Sequence, residues 1–216
     1  MTYTHCITFC HRDIHYWVHH FEHLKKQTKA PDKILISTTG VSHRLSYIPK
    51  TINIQNKDIE VSIISTEEGH RPGFARNQGL DNCKTDIISF FDGDNDYIHP
   101  QRTELYFKAF EENNIDILAS NYTYQEKNFE LYDSVGELYR INDIVGGTVH
   151  VRCPFVIATG PLGVRMQTVV REKNIRYNVN EACGEDGMFC QAALWAGLNV
   201  YGINRKLFCY KCKDMS

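Results

Sequence analysis

The 216-residue sequence is poor in three features that would assign it to a special class of protein. It has no apolar run close to the roughly 20 residues that cross a bilayer, which predicts no transmembrane segment. Its formal net charge of −2 argues against a general nucleic-acid-binding protein, because such proteins carry an excess of basic residues. Its 8 cysteines are too sparse for a disulfide scaffold, and reduced thiols are the better interpretation.

The N-terminal segment also lacks the pattern of a secretory signal peptide. The polar residues His11, Arg12 and Asp13 follow its first apolar patch, where a signal peptide would continue its apolar run. We therefore expect a cytoplasmic protein, with loose association with a membrane surface left open. The length fits one domain, and the alternative that the chain is one domain of a longer protein stays open.

Apolar segments typical of strands and helices alternate along the first 120 residues of the sequence. The predicted strands are Cys6–Cys10, Lys33–Ser37, Val61–Ser65, Asp86–Phe91 and Ile115–Ser120, and the predicted helices cover 14–24, 73–82 and 100–110. This alternation predicts an α/β fold with a mostly parallel central sheet flanked by helices.

The second half of the sequence is less regular and predicts a smaller, antiparallel part. Antiparallel strands or a long hairpin are expected between Tyr122 and Tyr139, where aromatic and polar residues alternate. A turn or joint is expected at Gly146-Gly147, a helix over 165–173 after the segment 160–163, and a last helix over 184–196.

Three carboxylates, Asp92, Asp94 and Asp96, directly follow the apolar run of the fourth predicted strand at alternate positions. Such charge beside a buried strand is unfavourable unless a cation neutralises it. Carboxylate oxygens suit Mg²⁺ or Mn²⁺, and both ions also bind phosphate oxygens. The pattern therefore predicts a metal-dependent enzyme that acts on a phosphorylated substrate, against the alternative of a solvated turn.

Parallel sheets bind their ligands beyond the carboxyl ends of the strands, and this rule brings distant segments of the sequence together. The segments are 8–12, 37–40, 65–76 and 92–96. Arg71 and Arg76 are then expected near the acidic residues of 92–96, and guanidinium groups together with a metal ion can bind a diphosphate. Taken alone, Arg76 is better explained by a salt bridge on a helix surface.

Three motifs follow one another along the chain: Gly73-Phe74-Ala75-Arg76-Asn77-Gln78-Gly79-Leu80, then Asp92-Gly93-Asp94 after its apolar strand, and later Gly184-Glu185-Asp186. As a set, they resemble the inverting glycosyltransferases of family 2, which have the GT-A fold. The resemblance extends from residue 6 to about 202. It implies one GT-A domain over 1–216, with a nucleotide-binding part at about 1–120 and an acceptor-side part at about 121–216.

The resemblance implies a role for each candidate site residue. Asp92 and Asp94 resemble the Asp-x-Asp signature, in which Asp92 contacts the ribose or a metal-bound water and Asp94 binds Mn²⁺ or Mg²⁺ directly. Asp186 is implied as the catalytic base, with Glu185 as the alternative. The residues expected to contact the nucleotide sugar are Thr8, Phe9, His11, Arg12, Ser37, Arg71, Arg76, Asp92 and Gly93.

The implied activity is a metal-dependent, inverting transfer of a sugar from a nucleotide-diphosphate donor, with a UDP-sugar as the first choice. The implied acceptor is a hydroxyl group of a glycan or glycoconjugate. The chemistry agrees, because a cation stabilises the diphosphate leaving group and a second carboxylate takes the acceptor proton. The alternatives are a nucleotidyltransferase and a module that binds sugar nucleotides or glycans without turnover.

One departure from the family concerns the second predicted strand. The family commonly has acidic residues at its end, whereas this sequence has Ser37-Thr38-Thr39-Gly40. Hydroxyl and main-chain groups can replace such contacts, so the identity of the nucleotide base stays open.

Histidine and aromatic residues add two further expectations. His15, His19, His20 and His23 are expected on the solvent-facing side of the first helix rather than in a metal site, whereas His11 is expected at the strand end near the nucleotide. Aromatic residues between 122 and 139 form a candidate platform for an acceptor sugar, with ordinary packing as an equal alternative. Thr159 and Arg165 are further acceptor-side candidates.

Overall fold

The computed structural model describes residues 1–10, 13–40, 43–66, 71–93, 97–124, 129–142, 157–181 and 184–209. The strands in these ranges are β1 (Tyr3–Cys10), β2 (Lys33–Thr39), β3 (Thr51–Ile54), β4 (Lys57–Thr66), β5 (Ile87–Asp92), β6 (Tyr97–Ile98), β7 (Ile117–Thr123), β8 (Leu138–Arg140), β9 (Ile157–Arg165) and β10 (Val200–Cys209). The α-helices are α1 (Trp17–Lys25), α2 (Pro72–Asn82), α3 (Arg102–Glu112) and α4 (Glu185–Trp195). Two 3₁₀ turns, Ile14–Tyr16 and His43–Tyr47, and a π-helix, Met166–Glu172, complete the elements.

The strands form one mixed sheet in the order β3-β4-β2-β1-β5-β9-β7-β10-β6, with β8 paired to β10. Strand β1 pairs in parallel with β2 on one side and with β5 on the other. The chain therefore moves from β1 outward to β2 and β4, and then returns to β5 across β1. This reversal creates a topological switch point at the carboxyl ends of β1 and β5, where open α/β sheets bind ligands.

Helices cover both faces of the sheet. Successive strand residues point to opposite sides, and in the central strands apolar residues lie on both sides. Ile88 and Phe90 pack in a core with α2, α4 and the π-helix. On the other face, Phe91 packs in the core beneath α1, and Ile87 packs in the core beneath α3. The predicted α/β class with a helix-flanked central sheet is confirmed.

Strand β9, which includes residues 160–163, was not predicted from the sequence. Those residues lie inside an antiparallel strand between β5 and β7. A Cβ at Gly163 would lie 2.9 Å from side-chain atoms of both Phe110 and Tyr106. Glycine therefore marks a close approach of α3 to the sheet here rather than a change of direction.

The sequence patterns also did not predict the strands β3 and β10 or the two-residue strand β6. Strand β3 joins β4 through a two-residue hairpin at Gln55 and Asn56, whose φ angles are 52° and 60°. These residues lack the glycine that usually marks such a turn. In β10, the register shifts between Ile203 and Phe208 disrupt the period-two pattern that identifies a strand.

Two elements of the second half differ in type from their predictions. The helix predicted over 165–173 is the π-helix Met166–Glu172. Between Tyr122 and Tyr139, the structure describes the end of β7 and the start of β8, whereas 125–128 lie outside the described residues. The turn or joint predicted at Gly146-Gly147 also lies outside the described residues.

The histidines of α1 correct another expectation. His15 and His19 are exposed, but His20 and His23 are 0% and 5% exposed. His20 packs edge-on against the ring of Phe9, and burial lowers its pKa to about 3. His23 lies 4.4 Å from the ring of Tyr97, because β6 covers a second side of the helix.

None of the helices in the described ranges is long and apolar enough to cross a membrane.

Candidate active site

Three motifs that are distant in sequence meet at the switch point around the guanidinium group of Arg76. This side chain lies in the middle of α2 and is only 2% exposed. Its Nη2 atom lies 2.7 Å from Oδ1 of Asp92, at the end of β5. Its Nη1 atom donates to Glu185 and lies 3.1 Å from Oδ1 of Asp186, both in the first turn of α4. We call Arg76, Asp92, Glu185 and Asp186 the Arg76 cluster.

The Arg76 cluster carries a surplus of negative charge. Among the described residues, three carboxylates contact this single guanidinium group. Burial raises the pKa of Asp186 to about 7, and Asp92 and Glu185 add to the rise while Arg76 opposes it. Burial opposes the charge of Arg76, but the carboxylates around it hold its pKa well above the ordinary value. The Asp186 carboxyl group can therefore accept a proton near neutral pH.

The carboxyl end of β1 holds Asp92 from the other side. Thr8 pairs with Asp92 in the parallel register of β1 and β5. The Thr8 hydroxyl lies 3.2 Å from Oδ1 of Asp92 and 3.0 Å from the main-chain carbonyl of Phe91. The Asp92 side chain is 32% exposed, so it faces both the buried cluster and the open crevice.

Phe9 and Gly93 are packed together below this crevice. The main-chain N–H of Gly93 donates to the carbonyl of Thr8 at 2.7 Å. A Cβ at Gly93 would lie 2.0 Å from the Phe9 ring, which is itself buried. Only glycine therefore fits at this position, and Phe9 supports the signature loop from the core side.

Ser37 and Arg71 lie at the same edge of the sheet, outside the Arg76 cluster. The buried Ser37 hydroxyl donates to the main-chain carbonyl of Ala75 at 2.7 Å, so it fastens α2 to β2. The exposed Arg71 side chain donates to the main-chain carbonyl of Asn180. Their roles as nucleotide contacts stay predictions.

His11, Arg12 and Asp94 lie outside the described residues, so their predicted roles also stay predictions. Within the described ranges, no group of three His, Cys, Asp or Glu side chains is arranged to hold a metal ion. The predicted direct ligand, Asp94, is not among the residues on which this statement rests.

The predictions from the sequence missed Tyr177, which lies beside the Arg76 cluster. Its ring is buried, stacks on Phe189 of α4 at 4.1 Å, and lies 5.4 Å from Cζ of Arg76. The sequence feature that could have indicated this segment is the glycine-containing motif around Arg76. A Cβ at Gly73 would lie 2.7 Å from the carbonyl oxygen of Asn178, so glycine allows this segment to approach α2.

The candidate acceptor residues separate into two groups. Tyr124 is 60% exposed, and its hydroxyl lies 3.2 Å from that of Tyr122 near the carboxyl end of β7. Arg165 lies instead at the amino end of β5, where its guanidinium group donates to main-chain carbonyls of Phe110 and Ile115. Arg165 is therefore a structural residue at the opposite edge, and the side chain of Thr159 is outside the description.

The fold and site define an α/β protein with an acidic cluster at the switch point, and comparison with known proteins identifies its family. The family described as Glycosyl transferase family 2 matches residues 6–161. The chain belongs to glycosyl transferase family 2, which confirms the resemblance seen in the sequence. No curated protein sequence matches the chain.

Solved structures of S. aureus TarS have a similar fold. The structure of TarS 1-349 has a TM-score of 0.71 and 14% identity, covering 98% of this chain and 60% of that chain. Its complex with UDP has a TM-score of 0.71 and 15% identity, covering 99% and 61%. The complex with UDP-GlcNAc has a TM-score of 0.73 and 15% identity, covering 100% and 60%. This chain thus spans about 60% of the TarS fragment, and the likeness confirms the GT-A fold.

Proposed function

We propose that the protein is a glycosyltransferase that moves a sugar from a UDP-sugar to a hydroxyl group of a glycan or glycoconjugate. Membership of family 2 supports sugar transfer, and the structural likeness to TarS, solved with UDP and with UDP-GlcNAc, supports a UDP-sugar donor. The observation that carries the proposal is the Arg76 cluster, which joins the end of β5 to the acidic pair of α4 at the switch point.

The donor diphosphate would lie beyond the carboxyl ends of β1 and β5, beside Thr8, Asp92 and Gly93. Asp92 and Asp94 would hold Mn²⁺ or Mg²⁺, for which carboxylate oxygens are suitable ligands. The residues present fit such an ion, because the cluster has surplus negative charge and Asp92 is partly exposed. When bound, the ion would stabilise the charge that grows on the diphosphate leaving group.

Asp186 is the better of the two candidate bases. Its side chain is 17% exposed, whereas that of Glu185 is 6% exposed and is bound to Arg76. Its pKa of about 7 suits a group that must take a proton from a hydroxyl near neutral pH. We assign Glu185 to holding Arg76. Attack by the activated hydroxyl opposite the leaving group inverts the configuration at the anomeric carbon.

Tyr122 and Tyr124 are the best candidates for contact with the acceptor sugar. In the sheet, Ser89 of β5 is level with Leu118 of β7, because both pair with Gly163. Strands β5 and β7 both run antiparallel to β9 and therefore point the same way, so the tyrosines near the carboxyl end of β7 lie at the same edge of the sheet as Asp92. The exposed ring of Tyr124 can stack on the apolar face of a sugar, beside the half-buried ring of Tyr122.

The proposal is tested by incubating the protein with UDP-sugars, UDP-GlcNAc first, in the presence of Mn²⁺ and glycan acceptors. We expect release of UDP together with a glycosylated product, and loss of both in the Asp186→Asn variant. Binding of UDP without turnover of any donor would favour a binding module instead. Release of pyrophosphate from UTP and a sugar phosphate would favour a nucleotidyltransferase.

A further inference from the structure

The segment before α4 is fastened to α2 by a single side chain. The side-chain amide of Asn77 donates to the main-chain carbonyl of Tyr177 at 2.9 Å. Its side-chain oxygen accepts the main-chain N–H of Tyr177 at 2.8 Å. One asparagine thus satisfies both main-chain polar groups of one residue, which fixes the position and the orientation of Tyr177.

The ring of Tyr177 fills the space between Arg76 and α4. It stacks on Phe189 with an interplanar angle of 6°, and Phe90 meets its ring at 83°. The Cζ atom of the Arg76 guanidinium group lies over the Tyr177 ring, 5.4 Å from the ring centre. The Tyr177 hydroxyl has no hydrogen-bond partner within the part of the chain that the structure describes. The contribution of this residue therefore comes from its ring.

The position of Arg76 decides how far apart the carboxylates of the cluster are. An arginine side chain has many rotamers, and a buried one is fixed by the groups packed around it. Here the fixed groups are the carboxylates that it binds and the ring of Tyr177. Without the ring, Arg76 can move toward the vacated space, and the carboxylates that it bridges move with it.

We propose that Asn77 and Tyr177 are positioning residues, which hold Arg76 so that Asp92 and Asp186 keep the separation needed for sugar transfer. The inference rests on the proposed function, and it assigns a positioning role to two residues that are not part of the acidic motifs. A misplacement of about 1 Å in a catalytic group can lower a rate by about 10²-fold, so a small change of packing is measurable.

The chain provides a matched control on the same segment. Arg176 is adjacent to Tyr177 and forms an ion pair with Asp81 of α2 at 3.1 Å. This pair links the same two elements as the Asn77 contact, but it is exposed and lies outside the Arg76 cluster. Its loss removes a tether without changing the packing around Arg76.

The test compares Tyr177→Leu, Tyr177→Phe and Arg176→Gln with the wild-type chain. For each, kcat is divided by the number of UDP-binding sites titrated by calorimetry, because a variant that only unfolds loses sites and keeps its turnover per site. We expect Tyr177→Leu to lose roughly tenfold to 10²-fold in kcat per site, with a smaller change in the donor KM. Tyr177→Phe keeps the ring and is expected within twofold of the wild-type rate, as is Arg176→Gln.

Wild-type turnover per site in Tyr177→Leu would overturn the inference, and so would equal losses in Tyr177→Phe and Tyr177→Leu. If Tyr177→Leu does not fold, Asn77→Ser replaces it, with an expected loss of about tenfold per site. Unchanged turnover in that variant would also overturn the inference. An inactive wild-type chain would contradict the proposed function itself, whereas an active one with active variants would contradict only the positioning role.

Discussion

The Asp186→Asn substitution is expected to make the protein more stable while it removes sugar transfer. The pKa of Asp186 is raised from 3.8 to about 7 by burial first, so the ionised carboxylate is unfavourable in the folded state. At about 1.4 kcal/mol per pKa unit, the shift corresponds to about 4 kcal/mol. Asparagine has the shape of the protonated acid and avoids this cost, so the activity of Asp186 comes at the expense of stability.

The sign of the pH dependence follows from the protons bound by each state. Between pH 3.8 and about 7, the folded chain keeps the Asp186 proton that the unfolded chain releases. Wild-type stability therefore falls as the pH rises through this range and then levels off. The variant lacks this decline. Its advantage in the free energy of unfolding is expected to be about 4 kcal/mol at pH 8, below about 2 kcal/mol at pH 5 and near zero at pH 4.

Equilibrium unfolding in urea at pH 5 and pH 8 measures this difference, with EDTA present because a bound cation would offset the negative charge. The same protein preparations are also assayed for UDP release without urea and with Mn²⁺ restored. The rate of the variant should be about 10²-fold or more below that of the wild type. A variant that is less stable than the wild type at pH 8, or an advantage that does not change with pH, would refute the assignment of Asp186 as a buried carboxylate with a raised pKa.

Three other substitutions test separate parts of the site, and Arg176→Gln serves as a control outside it. Arg76→Leu leaves buried carboxylates without their cation and should lower the free energy of unfolding by about 3–5 kcal/mol. Arg176→Gln, which breaks an exposed pair, should change it by less than about 1 kcal/mol in the same urea titration. Gly93→Ala places a Cβ 2.0 Å from the Phe9 ring, and calorimetry should show that the free energy of unfolding falls by about 1–3 kcal/mol. Tyr124→Ala should raise the acceptor KM severalfold in initial-rate assays and leave the donor KM unchanged.

Each of these expectations has a result that contradicts it. Equal effects of the Arg76 and Arg176 substitutions would mean that burial does not strengthen the ion pairs of the Arg76 cluster. Gly93→Ala that is as stable as the wild type would show that the Phe9 ring can move away without cost. A rise in the donor KM of Tyr124→Ala, with an unchanged acceptor KM, would move this residue to the donor side.

The sequence predicted the part of the fold that surrounds the switch point. Strands β1, β2 and β5 are short segments rich in apolar residues, and α2 begins at Pro72, which suits a first helical turn. The rule for ligands in parallel sheets then placed Arg76 close to Asp92, as the structure does. The motifs therefore gave the position of the site, because they follow elements with a strong hydrophobic pattern.

The burial of Arg76 was not predictable from the same patterns. Its ion pair with Glu185 joins residues 109 positions apart, and a local pattern contains no information on such a contact. Tyr177 is a lone aromatic residue in a segment without regular structure, so no periodicity marks it. His20 and His23 were predicted on the wrong side of α1, because their contacts with Phe9 of β1 and Tyr97 of β6 arise only in the tertiary structure.

We propose that the Arg76 cluster and the ends of β1 and β5 form the donor site of a glycosyltransferase. A crystal structure of the chain with UDP and Mn²⁺ tests it most directly. We expect the diphosphate beyond the carboxyl ends of β1 and β5, the metal ion on Asp92 and Asp94, and Asp186 facing the open side of the leaving group. UDP bound elsewhere on the chain, with the Arg76 cluster closed to solvent, would contradict it.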